Sequence, residues 1–232
     1  MSGNRSTTEI VPAVLPKSRE ELYALTERIE MFAESVQFDI VDGVFDDDIS
    51  WPFTAPGIME DISTFRLPYL EKILWEADLM VKEPRAIGHA LIRAGASRII
   101  AHIEAFQDVA EARSTFEDWQ KAGAQAGVSL LLDTPISAIE ELFYDVQVIQ
   151  IMGIANIGAQ GLPFDSRAVS RVHELRNRFP QAVIDVDGGI NLSHVKELIV
   201  AGANRLIVGS AIMKAHDPEA AYKEIVSAAI QT

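Results

Sequence analysis

Residues 182–213 read AVIDVDGGINLSHVKELIVAGANRLIVGSAIM. Two short runs rich in Ile, Val and Leu, Ala182–Asp187 and Arg205–Gly209, flank a segment of helical spacing, Leu192–Ala201. Gly202 follows that segment and suits a left-handed helix cap that feeds the next strand. The first run ends in Asp187-Gly188-Gly189 and the second in Val208-Gly209-Ser210. The stretch is one strand–helix–strand unit, and Ala94-Gly95-Ala96 repeats the Ala201-Gly202-Ala203 junction earlier in the chain.

The same alternation runs outward to both ends. Further strands are expected at Glu9–Leu15, Val36–Asp42, Ile73–Val81, Arg98–Glu104, Val128–Asp133 and Val146–Gly153, which makes eight. Most are nearly continuous apolar runs, as strands covered on both faces require. Helices are expected from a Ser18 cap to about Ala33, with Glu21 completing a capping box, and over Asp108–Ala126, Asp165–Arg178, Leu192–Ala201 and Asp217–Ile230. Asp217 and Pro218 suit the cap and first turn of the last of these. Eight strand–helix units in residues 9–232 imply one closed (β/α)8 barrel, with a doubly wound sheet as second choice. Residues 1–8 read as a polar N-terminal tail. The longest irregular stretch is Gly43–Ser63, a length that often serves function, and its Trp51 and Phe53 suit either a lid or a partner subunit.

Composition narrows the function classes. Apolar residues make up 48% and charged residues 23%, which is ordinary for a packed domain. Lys and Arg number 20 against 34 Asp and Glu, a formal charge of −14, so a nucleic acid or an anionic membrane is not an expected partner. There is no cysteine, which removes disulfides, thiol catalysis and thiolate metal sites. No apolar run approaches a membrane span, Met1–Thr8 lacks a signal-like segment, and a cytoplasmic address is the expectation. The basic residues Arg167, Arg171, Arg176 and Arg178 read as a solvated helix face, and Asp46-Asp47-Asp48 as a solvated loop rather than a second metal site.

Active sites of such barrels sit at the C-terminal ends of the strands, with phosphate held by the turns after the seventh and eighth. Gly188, Gly189, Gly209 and Ser210 stand there. Gln37, Asp39 and Val41 share one face of the second strand, so an inward Asp39 needs a partner.

At this point the chain resembles the ribulose-phosphate 3-epimerase family, from Ile10 to about Met213. The resemblance is carried by Ile10-Val11-Pro12, Asp39-Ile40-Val41-Asp42-Gly43-Val44-Phe45, Leu79-Met80-Val81-Lys82-Glu83-Pro84, His102-Ile103-Glu104-Ala105, Val186-Asp187-Gly188-Gly189-Ile190-Asn191 and Gly209-Ser210-Ala211-Ile212. It implies a barrel isomerase acting on a phosphorylated ketopentose. Asp39 and Asp187 stand at the positions of the two acid/base residues, and Met80, Met152 and His102 are expected on the substrate side. A divalent metal is implied, as is a homo-oligomer. The pattern departs at five places. Gln37 and Asp78 replace the two metal-binding His, Ala13 replaces a Ser, Val41 replaces a Met, and the loop Gly153–Gly161 has lost its Pro.

The resulting ligand set of Gln37, Asp39, Asp78 and Asp187 is all oxygen, which favours Mg²⁺ or Mn²⁺ over Zn²⁺. Without a cation the site needs a raised carboxyl pKa and another electrophile, for which His102 is the nearest group, unless it is only a packed strand histidine. An epimerase for another ketose phosphate and a non-catalytic sugar-phosphate binder are the alternatives. Related decarboxylases and aldolases use Asp-x-Lys-x-x-Asp on the third strand. Asp78-Leu79-Met80 lacks that Lys.

Overall fold

A computed structural model describes residues 8–232; the polar tail expected over residues 1–8 lies outside the described residues apart from its last residue. Eight parallel strands close a barrel: β1 (Glu9–Val14), β2 (Ser35–Val41), β5 (Leu74–Met80), β6 (Arg98–His102), β7 (Gln125–Leu130), β8 (Val148–Met152), β9 (Ile184–Asp187) and β10 (Arg205–Val208). They neighbour one another in that order, and β1 returns to pair with β10. All eight expected strands are these, and the closed barrel prevails over the doubly wound sheet. Around them lie α1 (Arg19–Glu27), α2 (Pro84–Ala94), α3 (Val109–Lys121), α4 (Arg167–Arg178), α5 (Val195–Ala201), α6 (Ser210–Met213) and α7 (Pro218–Ile230).

Local chemistry sets the ends of these elements. Ser18 Oγ accepts from Glu21 N at 3.1 Å, while the Glu21 carboxylate reaches back one residue further than a capping box predicts, to Lys17 N at 2.6 Å. Asp217 caps α7 through Ala220 N at 3.0 Å. Gly95 and Gly202 end α2 and α5 at φ +111° and +113°, as the repeated Ala-Gly-Ala junction implies. The helix expected to reach Ala126 stops at Lys121, because Gly123 adopts φ +100° and Gln125 already opens β7. The strand expected at Val128–Asp133 is therefore shifted: Leu131 N donates to Glu104 Oε1 at 3.0 Å. A 3-10 segment, Ile136–Leu142, replaces an α-helix between β7 and β8.

The stretch from Gly43 to Ser63 is not wholly irregular. It carries a small hairpin, β3 (Phe53–Ala55) and β4 (Ile58–Met59). Trp51 is 1% exposed, stacks on Phe38 at 5.9 Å and meets Phe65 edge-on at 4.7 Å, so it belongs to this chain's own core rather than to a partner's surface. The arginines of α4 are tied to neighbours: Arg167 to Asp133 and Asp165, Arg178 to Glu140, and Arg176 to carbonyls around Gly202.

The N-terminal end of the barrel is closed by charge. Arg205 on β10 donates to Asp185 at 2.5 Å, Glu76 at 2.8 Å and Glu9 at 2.8 Å, and Arg98 adds a bond to Glu76 at 2.8 Å. Asp185 and Glu76 are almost fully buried, so each depends on these partners. The C-terminal end is left for the cleft.

Candidate active site

Strand register brings the acidic residues to one level. Asp39 on β2 lies opposite Asp78 on β5, and Met152 on β8 opposite Asp187 on β9. Carboxylate oxygens of Asp39, Asp78 and Asp187 all lie within 4.8 Å of one another. Beneath them Gln37, fully buried, donates Nε2 to Asp39 Oδ1 and to Asp187 Oδ2, both at 2.8 Å. Gln150 on β8 donates Nε2 to Asp78 Oδ2 at 3.0 Å. The four residues named as metal ligands from the sequence thus converge.

The cluster is electrostatically costly. Two like charges about 4 Å apart repel by roughly 4 kcal/mol at an effective dielectric near 20. Burial, then the Asp187 and Asp78 charges, hold the Asp39 carboxyl well above the usual range. Burial and the Asp78 charge push Asp187 up to about 8. His102 stands behind Asp78, Nε2 to Oδ1 3.7 Å, with Glu104 3.8 Å from its other nitrogen. Burial lowers its basicity, but the Asp78 and Glu104 charges outweigh that and raise it. Fully buried and packed 5.3 Å from Phe45, His102 does not line the cleft.

The cleft above the cluster has a cavity volume of about 40 Å³ and opens to solvent. Asp39 and Asp187, each 7% exposed, form its floor, and Met80, Met152, Leu15 and Ile154 its apolar walls. Gly188, Gly189, Gly209 and Ser210 also line the cleft, together with the loop Gly158–Gly161. That loop reaches the end of β1, where Gln160 Nε2 donates to the Ala13 carbonyl at 3.0 Å. The acidic run touches it as well: a Cβ on Gly158 would stand 2.6 Å from Asp46 Oδ1.

Chain-wide comparison agrees with this geometry. Residues 9–213 match the model of the ribulose-phosphate 3 epimerase family. The chain belongs to the ribulose-phosphate 3-epimerase family. It is 32% identical over 199 residues to the ribulose-phosphate 3-epimerase of Aquifex aeolicus, 84% of each chain. It is 30% identical over 198 residues to that of Bacillus subtilis, 83% of this chain and 86% of the other. Membership of this epimerase family makes the chain an isomerase. Among solved structures, the 3-hexulose-6-phosphate synthase of Salmonella typhimurium superposes with a TM-score of 0.70 over 96% of this chain and 99% of that one, at 18% identity. That likeness concerns the barrel alone.

The family is metal-dependent, and the residues present fit a divalent cation. Three carboxylates face one another, and Asp78 Oδ1 is buried without a hydrogen-bond partner. Gln37 Oε1 is buried and unpartnered too, and the two ends of an amide are interchangeable by a half-turn, so Gln37 has an oxygen to offer where its nitrogen now sits. Gln150 escaped the sequence reading. Its signal was a polar side chain in the run Val148-Ile149-Gln150-Ile151-Met152, two residues from Met152 and hence on the same inward face. No helix among the described residues is long and apolar enough to cross a membrane.

Proposed function

We propose that this protein epimerises a phosphorylated ketose at C3, D-ribulose 5-phosphate to D-xylulose 5-phosphate, by proton transfer between Asp39 and Asp187. The observation that carries the reading is the pair itself: two carboxyls on β2 and β9, both open to one apolar-walled cleft and both held by the Gln37 amide. The C3 proton is acidified by the neighbouring carbonyl. One aspartate removes it, the other returns a proton to the opposite face, and C3 inverts. Burial and the neighbouring carboxylates raise the proton affinity of both carboxyls, Asp187 to about 8, so a proton can be held in the pair for return to the opposite face.

Gln37 fixes the separation of the two carboxyls, while Met80 and Met152 keep water from the reacting carbon. Asp39, Asp78, Asp187 and Gln37 would hold a divalent cation, Mg²⁺ or Mn²⁺ by their hard oxygen donors. When bound it supplies Lewis-acid stabilisation of the enediolate charge. Gly188, Gly189, Gly209 and Ser210 receive the phosphate. The compartment proposed is the cytoplasm, and the assembly expected by analogy is a homo-oligomer.

A second reading, another ketose phosphate, is favoured by Ala13, whose methyl side chain at the cleft leaves room for a different sugar. Proton NMR in D2O separates the readings: ribulose 5-phosphate is incubated with protein and Mg²⁺, Mn²⁺, Zn²⁺ or chelator. Deuterium entering C3 with xylulose 5-phosphate appearing is the expected result. No exchange with any cation would refute ribulose 5-phosphate as substrate.

A further inference from the structure

The cleft that is to receive a dianionic phosphate has two aspartates on its floor and no Lys, Arg or His among the residues lining it. The chain carries a formal charge of −14, so the general field opposes such a ligand as well. One cation stands at the rim. Lys214 follows α6 directly, and its Nζ donates to the Gln160 carbonyl at 3.3 Å. A Cβ placed on Gly161 would lie 3.1 Å from that Nζ and 4.0 Å from Ser210 Oγ. The ammonium, the Ser210 hydroxyl and the bare Gly161 backbone therefore converge on one spot beside Gly209.

The backbone on both sides of this lysine is anchored. Arg28, the C-cap of α1, donates to the Met213 carbonyl at 2.7 Å and to the Ala215 carbonyl at 3.2 Å. Lys214 N completes the turn to Ser210 O at 3.0 Å. The side chain is exposed and forms no ion pair among the described residues, so its charge is open to a ligand.

We propose that Lys214 is the phosphate-binding cation of this site, closing over the ligand's phosphoryl oxygens opposite the glycine turns. The proposal rests on the reading of the substrate as a phosphorylated sugar. Such a residue contributes equally to ground and transition states, so its loss raises KM and leaves kcat nearly alone.

The test uses the full chain, unmodified and as Lys214→Gln and Lys214→Arg, with inorganic phosphate as probe in a titration by calorimetry and as competitive inhibitor of epimerisation. Lys214→Gln is expected to weaken phosphate binding and raise KM by about tenfold, the effect of one partly exposed charge-assisted hydrogen bond. Lys214→Arg is expected to restore most of both. Exchange of a non-phosphorylated ketopentose should be indifferent to either change. Equal phosphate affinity in the unmodified protein and in Lys214→Gln would overturn the assignment alone. Failure of the unmodified protein to bind phosphate would overturn it together with the phosphorylated-substrate reading. Phosphate bound through Lys214 with no exchange at C3 would refute the epimerase reading and support the lysine.

Discussion

Replacing Asp187 by Asn is predicted to injure activity and strengthen the fold at the same time. The substitution keeps an oxygen for the Gln37 amide, which now donates to Asp187 at 2.8 Å, and removes one of three carboxylates packed within 4.8 Å. At that limiting distance and an effective dielectric near 20, each lost repulsion is worth about 3 kcal/mol once both partners are ionised. The sign depends on pH. Asp187 is pushed up to about 8 from an ordinary value of 3.8. Between those values the native state holds a proton that the unfolded chain has released. Stability of the chelated protein therefore falls as pH rises from about 4 to about 8, by up to ~1.4 kcal/mol per unit. Asp187→Asn removes that slope. Below about pH 3.5, where Asp187 is protonated in both the folded and the unfolded chain, the variant should melt close to the parent. At pH 9 in chelator, about four pH units of that slope amount to ~6 kcal/mol, so it should melt about 12–24 °C higher, at ~2–4 °C per kcal/mol for a chain of this size. Its epimerase rate should fall by about 10²–10⁴, the usual contribution of a positioned acid or base. Deuterium exchange at C3 of one epimer should survive, because Asp39 still faces the cleft. Thermal melts across pH in chelator, with NMR exchange on each epimer, check both halves. Melting at or below the parent at pH 9, or a rate within tenfold of it, would refute the reasoning.

Gln150→Leu strips Asp78 Oδ2 of the donor at 3.0 Å and should destabilise the chelated protein by about 1–3 kcal/mol in urea melts. Arg205→Met leaves Asp185 and Glu76 buried with reduced compensation; a loss of about 3–5 kcal/mol is expected by denaturation, with KM unchanged because the network lies at the far end of the barrel. Gly188→Ala forces a side chain into φ +110° and to 2.8 Å from Ile154 Cγ1, and inhibition by inorganic phosphate should weaken by at least about tenfold through displacement of the turn.

The barrel was legible because its signals are local. A strand covered on both faces has to be a short apolar run, and Gly95 and Gly202 mark helix ends whatever surrounds them. The aspartates were legible for a different reason: a carboxylate in an apolar run is expensive, so Asp39, Asp78 and Asp187 declare themselves as paired or functional. What stayed hidden depends on register across the barrel. Gln150 meets Asp78 from three strands away, and Arg205 reaches Glu9, Glu76 and Asp185 only after closure. The placement of His102 is of the same kind. Its strand position suggested a residue facing substrate, whereas it is fully buried beside the Asp78 carboxyl at 3.7 Å and lines no part of the cleft. The β3–β4 hairpin was missed although Pro56-Gly57 marks its turn, because two- and three-residue strands show no alternation to read.

The departures from the family pattern make physical sense together. Where the resemblance implies two imidazoles, Asp78 and Gln37 add one negative charge and remove two neutral ligands. A third buried carboxylate would be intolerable without compensation, and the compensation is visible. Gln150 donates to Asp78, His102 stands 3.7 Å behind it with raised basicity, and Gln37 bridges the other two aspartates. Each device stabilises carboxylate charge by hydrogen bonding or by an opposing charge without lining the cleft, where Asp39 and Asp187 of the three aspartates are open to a substrate. Reversing Asp78 to His singly would then leave the Gln150 amide without its acceptor and place two imidazoles together, so the single reversal should weaken metal binding measured by calorimetry. The paired change Asp78→His with Gln150→Leu should recover it and shift preference from Mn²⁺ toward Zn²⁺. Equal metal affinity in the single and paired variants would show that Gln150 and Asp78 are independent, and that the site was not reorganised as a unit.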